Sequence, residues 1–370
     1  MKRRILLLNN CLAGGGAERV LQLVAAEAAA TGAALTIWAP EGTPEELRQL
    51  YPAGTRWRRL PFWGEDAARL SPRWFWQRGC RLLFEKLLLR LRRWDCVLAM
   101  KEGPSMRLAS RLRGGKKLAW VHTDYATLHW SRYSFHSDAE ELRCMRAFDR
   151  VICVSETVRR GIVGTVGDPG NLCLRYNPID AARIRTLARE PIAEEKPADG
   201  PLLVAVGRLD RGKRFALLLD VCRELRREHR FTLWLVGGGG EEAALREQIA
   251  REGLSSCVLL GPRENPYPYI ARADWLLSAS ESESYGLTVQ EALILGVPVL
   301  ACACGGVAES LDPRFGILTG LDRGALRDGL RRVLENPALR GDYAARIAAA
   351  YPAESLWEPR LKAIRALLEE

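Results

Sequence analysis

Apolar residues along the chain fall into short continuous runs, separated by longer stretches with helical spacing. The first run covers residues 5–8, Gly14-Gly15-Gly16 reads as a turn, and 19–30 is apolar at helical intervals before a second run at 35–38. Runs at 96–100, 118–121 and 151–154 continue the rhythm. It restarts after residue 190, with runs at 202–206, 232–236, 258–260, 275–278 and 297–301 and helical stretches at 216–228, 241–252 and 289–295. Strands that are apolar throughout, rather than alternately, belong to parallel sheets covered on both faces. The pattern predicts an α/β chain of two doubly wound, Rossmann-like halves. A ligand is expected outside the carboxyl ends of the strands, in a cleft where the halves face each other.

A length of 370 residues suits two domains better than one core. The polar stretch 191–201 contains Pro191, Pro197 and Pro201 and reads as the linker, with the boundary somewhere around residues 180–200 and domains at 1–185 and 200–352. With 48% apolar and 27% charged residues, a disordered chain is excluded. No apolar run approaches the roughly 20 residues a membrane-spanning helix needs. Lys2-Arg3-Arg4 before an apolar run superficially resembles a signal peptide. The run lasts only four residues before Asn9-Asn10, so a buried first strand is the better reading.

Charge refines this picture. The net charge is +10, and residues 1–180 hold 29 Lys and Arg against 18 Asp and Glu, whereas the remainder holds 26 against 27. An anionic partner is therefore expected at the first half. Ser71-Pro72 opens a helix running to Trp94 in which Leu83, Phe84, Leu87 and Leu91 share one arc, read as core packing. Arg78, Arg81, Lys86, Arg90, Arg92 and Arg93 spread over the opposite arc, with Trp74, Phe75 and Trp76 beside it. Aromatic residues next to cations suit an anionic membrane surface, so Trp74, Trp76, Arg78, Arg81, Arg90 and Arg93 are the expected membrane contacts. Nucleic acid is not expected as a partner, and a basic surface serving only solubility is the plain alternative. The ten cysteines form no C-x-x-C pair, which argues against a zinc site and points to a reducing compartment.

Two segments carry candidate chemistry. Residues 202–206 run into Gly207-Arg208-Leu209-Asp210-Arg211-Gly212-Lys213, where Arg208 and Lys213 lie just beyond a strand and can reach one diphosphate. The segment Ser282-Glu283-Ser284-Tyr285-Gly286-Leu287-Thr288 opens a helix, so the amides of Gly286, Leu287 and Thr288 can face an anion. Glu283 and Glu291 flank that helix start and can each accept two hydrogen bonds from a ribose or sugar diol. Taken alone, these are also what a solvated basic loop and helix-terminal acids look like.

Gly207-Arg208-Leu209 with Lys213, the Glu283–Glu291 spacing, Gly296-Val297-Pro298-Val299 and Cys304-Gly305-Gly306-Val307-Ala308-Glu309 together resemble the retaining glycosyltransferases of family four. The resemblance implies the GT-B fold and covers most of the second half. Gly14-Gly15-Gly16-Ala17-Glu18-Arg19 is similar to the family's first glycine loop, whereas 40–150 matches weakly. By this resemblance Arg208 and Lys213 hold the donor diphosphate and stabilise the departing nucleotide, and Glu291 holds the ribose. Glu283 contacts the transferred sugar, and Arg263 lies where the family's backbone meets the nucleobase. Gly14, Gly15, Gly16 and Arg19 form an acceptor or phosphate loop. His122, at the end of a strand-like run, faces the donor sugar as a catalytic group. Helix 353–368 packs back on the first domain.

The resemblance further implies that a donor phosphate oxygen takes the acceptor proton and that no metal or other cofactor is needed. The donor is a nucleotide-sugar, most often UDP-linked. The acceptor is a glycan or lipid-linked sugar, and the protein works in the cytoplasm at the inner membrane face. The chain departs from the family pattern at Ser284-Tyr285, where Gly-Phe is usual, and at Arg214, where Gly is usual. A GT-B epimerase and a non-catalytic membrane or anion-binding scaffold are the rival readings. A nicotinamide dehydrogenase is disfavoured because Gly237-Gly238-Gly239-Gly240 lacks the glycine spacing it needs.

Overall fold

The apolar runs become the inner strands of two parallel sheets. A computed structural model describes residues 2–10, 15–40, 45–60, 83, 87, 94–351 and 357–369. The chain divides into two units, one of residues 1–179 with 358–370 and one of 180–357.

In the first unit the strands are β1 (Arg4–Leu8), β2 (Ala34–Pro40), β3 (Arg56–Leu60), β4 (Trp94–Ala99), β5 (Gly114–Val121), β6 (Arg150–Cys153) and β7 (Leu172–Leu174). They lie side by side in the order β3-β2-β1-β4-β5-β6-β7, every pair parallel. Ile5, Leu6, Leu7 and Leu8 are all inaccessible to solvent, which is what a strand covered on both faces requires. The last helix, Glu358–Glu369, belongs to this unit. It buries Ile364, Leu367 and Leu368, and Arg365 Nε donates to Glu27 at 2.8 Å.

The second unit holds β8 (Leu202–Val206), β9 (Thr232–Val236), β10 (Cys257–Gly261), β11 (Trp275–Ser278), β12 (Val299–Cys302) and β13 (Gly316–Thr319). Their order is β10-β9-β8-β11-β12-β13, again all parallel. Leu203, Leu233, Trp275 and Leu300 share one core with Leu219 and Cys222 of helix Phe215–Leu225 and Leu326 and Leu330 of helix Arg323–Glu335. In each sheet the order reverses once, between β1 and β4 and between β8 and β11. Such a switch point leaves a crevice at the carboxyl ends of the two diverging strands.

Three expectations need correction. The division falls after Ile179, so residues 180–185 lie in the second unit, where Arg185 reaches the carbonyls of Ile294 and Tyr351. The proline-rich stretch 191–201 is not the boundary. Glu194 meets Arg263 at 2.6 Å and Lys196 meets Asp274 at 2.8 Å, fastening that stretch to the second unit. Leu83 and Leu87, expected in the core, are helical but 70% and 56% exposed. Gly14, Trp74, Trp76, Arg78, Arg81, Arg90 and Arg93 lie outside the described residues.

Candidate active site

In the second unit the loops after β8 and β11, the two strands at the switch point, meet directly. The amide of Glu281 donates to the Gly212 carbonyl at 2.9 Å, and Lys213 Nζ forms an ion pair with Glu283 Oε1. Ser280 Oγ donates to the same Glu283 oxygen at 2.9 Å. Asp210 caps the turn Arg211–Lys213 by accepting from the Lys213 amide at 3.2 Å, which fixes where the lysine stem leaves the backbone. Arg208 is a contrast. Its side chain is 77% exposed and lies 3.3 Å from Asp210, a solvent-screened pair that holds the guanidinium only weakly.

Helix Leu287–Ile294 starts beside this ion pair, with Gly286 as its cap at φ 75°. A Cβ on Gly286 would stand 3.0 Å from Val307 Cγ2, so the left-handed backbone and the close approach both favour glycine. The amides of the first turn, Leu287 and Thr288 among them, precede the helix's own hydrogen-bond ladder and carry its positive end. Glu291 is buried one turn on, and Tyr267 Oη lies 3.4 Å from its Oε1. The next strand's loop supports the Glu283 turn from behind. The Gly306 amide donates to the Glu283 carbonyl at 2.7 Å, and a Cβ there would sit 2.2 Å from the Ser284 oxygen. Cys304 is buried alongside. Its thiol is pushed up to about 12, by burial first and by Glu283 second, so it carries no thiolate chemistry.

The loop after β9 was assigned no role from the sequence, yet it lies directly on the Arg208 loop. The Leu209 amide donates to the Gly238 carbonyl at 3.0 Å, and a Cβ on Gly237 would stand 1.8 Å from the Gly207 oxygen. These glycines serve backbone-to-backbone packing, not a dinucleotide fingerprint. Arg263 is committed elsewhere: its guanidinium pairs with Glu194 and lies 5.7 Å over the Tyr269 ring.

In the first unit, Gly15 caps helix Gly16–Ala30, the first helix after β1 in chain order, and its carbonyl accepts from the Arg19 amide at 3.1 Å. His122 follows β5. Its amide donates to Glu102 Oε2 at 3.0 Å, and its ring stacks parallel to Trp120 with centroids 6.1 Å apart. Nε2 is shielded from solvent and has no hydrogen-bond partner among the described residues. Burial lowers the imidazole pKa to about 4 against the opposing pull of Glu102, so the ring is neutral at pH 7. Among the described residues, one group, His129, Asp138 and Glu141, has the spacing to hold a metal ion. Glu141 already takes Tyr125 Oη at 2.8 Å, Ser131 Oγ at 2.7 Å and His129 Nε2 at 2.7 Å, which makes this buried carboxylate a tie between loop and helix, whereas Asp138 is exposed.

Two family models together take in nearly the whole chain: "Glycosyltransferase Family 4" matches residues 14–183 and "Glycosyl transferases group 1" matches 188–350. The chain belongs to the family-four type of glycosyltransferases. An N-acetylgalactosamine-N,N'-diacetylbacillosaminyl-diphospho-undecaprenol 4-alpha-N-acetylgalactosaminyltransferase of Campylobacter jejuni is 32% identical over 172 residues, 45% of this chain and 46% of that protein. A D-inositol 3-phosphate glycosyltransferase of Frankia alni is 37% identical over 165 residues, 40% of each chain. The chain thus spans about half the length, or less, of these curated relatives. The crystal structure of Anabaena Alr3699/HepE in complex with UDP and glucose superposes with a TM-score of 0.75 at 19% identity, covering 99% of this chain and 98% of that one. The fold is therefore GT-B, two Rossmann-like domains.

Against the family pattern, the two departures acquire a setting. Tyr285 is buried under the helix cap, and Ser284 is the residue whose carbonyl Gly306 closely approaches. Arg214 takes φ 55°, the one positive φ outside glycine among the described residues, and its guanidinium donates to the Leu321 carbonyl at 2.5 Å.

Proposed function

We propose that this family-four protein is a retaining, metal-independent hexosyltransferase. It takes a hexose-type sugar from a nucleotide-sugar, UDP-linked by preference, to a glycan or lipid-linked acceptor in bacterial surface polysaccharide or glycolipid synthesis. The observation that carries this reading is the Lys213–Glu283 pair, which joins the loops of the two switch-point strands beside the open start of helix Leu287–Ile294. An ammonium beside a helix N-terminus, with the exposed Arg208 guanidinium on the same loop as the lysine, suits a diphosphate.

In the reaction the bond from the anomeric carbon to the diphosphate oxygen breaks, and its electron pair leaves with the nucleotide. The acceptor oxygen bonds the same carbon on the same face, and its proton passes to a donor phosphate oxygen. Lys213 and Arg208 offset the charge that grows on the leaving diphosphate, the part a divalent ion would otherwise take. Glu291 holds the ribose hydroxyls and Glu283 the transferred sugar, once the diphosphate has drawn Lys213 away from it. His122 offers a neutral imidazole to a sugar hydroxyl. Gly15, Gly16 and Arg19 receive the acceptor.

Three observations support work at an anionic membrane surface: the excess charge of residues 1–180, the exposed Leu83 and Leu87, and the undecaprenol-linked substrate in the Campylobacter relative's name. None of the described helices is long and apolar enough to cross a membrane. Thermal-shift screening with UDP, GDP, ADP and their hexose conjugates tests the donor, followed by donor hydrolysis in EDTA and in Mg²⁺. Stabilisation by a UDP-hexose and equal turnover in both buffers are expected. Normal turnover by both Arg208→Ala and Glu291→Ala would reject the site. Unchanged binding to anionic vesicles after neutralising Arg78, Arg81, Arg90 and Arg93 would reject the membrane surface.

A further inference from the structure

A carboxylate with no solvent exposure is tolerated only when hydrogen bonds replace the water it has lost. Glu102, directly beyond β4, is such a group. Its Oε2 accepts the His122 amide at 3.0 Å, and its Oε1 accepts both the Thr123 hydroxyl and Trp130 Nε1, the latter at 2.8 Å. Trp130 is itself locked in place. Gly103 has φ 80°, a Cβ there would stand 2.9 Å from the Trp130 ring, and the Lys101 ammonium lies 5.4 Å over that ring. Both carboxylate oxygens face donors, so an amide in its place would turn an NH₂ group against an N–H or O–H.

The arrangement clamps the main chain of His122 and leaves the far ring nitrogen unpartnered. The ring plane is held by stacking on Trp120. A carboxylate serving only to knit loops would have no reason to end on the peptide of a residue whose imidazole Nε2 is left without a partner among the described residues. We propose that Glu102 is the positioning residue for His122, setting the direction in which Nε2 meets the sugar. This rests on the role given to His122 above.

The test uses the full chain with four variants: Glu102→Gln, Glu102→Asp, His122→Ala and the Glu102→Gln/His122→Ala double. Turnover is read as nucleotide release from UDP-glucose, UDP-galactose and GDP-mannose. Ring signals of the four histidines are read by NMR after histidine-selective labelling, with His122 assigned from its variant. In Glu102→Gln the His122 signal moves, kcat falls about tenfold or more with KM held within about twofold, and Glu102→Asp recovers part of the loss. Adding Glu102→Gln to His122→Ala costs nothing further. An unmoved His122 signal overturns the proposal, as does a normal kcat in Glu102→Gln beside a slow His122→Ala, or losses that multiply in the double variant. Normal turnover by His122→Ala overturns the role of His122 and this proposal with it. Should Glu102→Gln fail to fold, Thr123→Ala and Trp130→Phe each remove one donor. A moved His122 signal with lower kcat supports the proposal, and wild-type values in both oppose it.

Discussion

At the end of β8 the chain keeps its charges near water: Arg208 is mostly exposed, and Lys213 is held by a partly exposed Glu283. At the ends of β4 and β5 it does the reverse, burying the Glu102 carboxylate under three donors and keeping His122 neutral. The two sheets share the strand order through the switch point, so topology does not account for the contrast. Desolvation does. A group that must meet an anion loses little by waiting charged at the surface, whereas a buried one must be neutral or fully hydrogen-bonded. In the proposed reaction one end attracts a charged ligand and the other holds a group still.

The largest test of this contrast removes Lys213. In Lys213→Ala the departing diphosphate loses its ammonium and Glu283 loses its partner, so kcat for donor hydrolysis should drop by about 10²–10³. The melting temperature should move little, because the pair is not fully buried. A loss under about threefold in kcat would mean that the β8 end is not the anion-binding one.

The opposite end answers to pH. Burial lowers the His122 pKa from about 6.5 in the unfolded chain to about 4. The unfolded state therefore takes up a proton first as pH falls. The His122 contribution to stability is flat above about pH 6.5 and is lost between there and about pH 4, amounting to roughly 2–3 kcal/mol in all. Urea unfolding of the wild type and His122→Asn at pH 7.5 and 4.5 measures it: the wild type should lose more by that amount. Parallel losses would mean that the imidazole is not buried as a neutral ring.

Packing behind the donor loop comes next. Gly306→Ala drives a Cβ into the Ser284 carbonyl, so about 1–3 kcal/mol of stability should go, together with donor affinity, because the Glu283 turn must shift. Gly240→Ala is the matched comparison, since nothing lies within 4 Å of a Cβ there and its stability should be unchanged. Equal urea midpoints for the two variants would show that the turn yields freely.

Much of the second unit was legible because its signals are local. β8, β9 and β11 have the limits their apolar runs suggested, and Arg208, Lys213 and Glu283 lie within short loops that follow such strands. The strands passed over, β3, β7 and β13, all lie at sheet edges, where one side has no neighbouring strand and a continuous apolar run is not needed. Arg56-Trp57-Arg58-Arg59 in β3 reads as polar for that reason. Glu102 was not legible at all. Its partners stand 20, 21 and 28 residues away, and only the order of β4 and β5 in the sheet brings them together. The proline-rich stretch misled for a related cause. Composition marks a breaker, but the distant Asp274 and Arg263 decide what it packs against.

The smallest effect concerns Arg214, which stands between the two kinds of construction. Its left-handed backbone costs about 1 kcal/mol that glycine would not incur, and its guanidinium ties the Lys213 turn to the Leu321 carbonyl. Arg214→Gly relieves the strain but loses the tie and adds freedom to the unfolded chain, so these terms nearly cancel and the melting temperature should stay within about 2 °C. Arg214→Ala loses the tie and keeps the strain, and it should be the less stable of the two by about 1 kcal/mol. Donor KM should rise by a similar small factor in both, about two- to threefold, because each frees the loop that carries Lys213. If the alanine variant matches the glycine variant in stability, the backbone at this position is not strained. If KM is unchanged in both, the tie to Leu321 does not steady the diphosphate site.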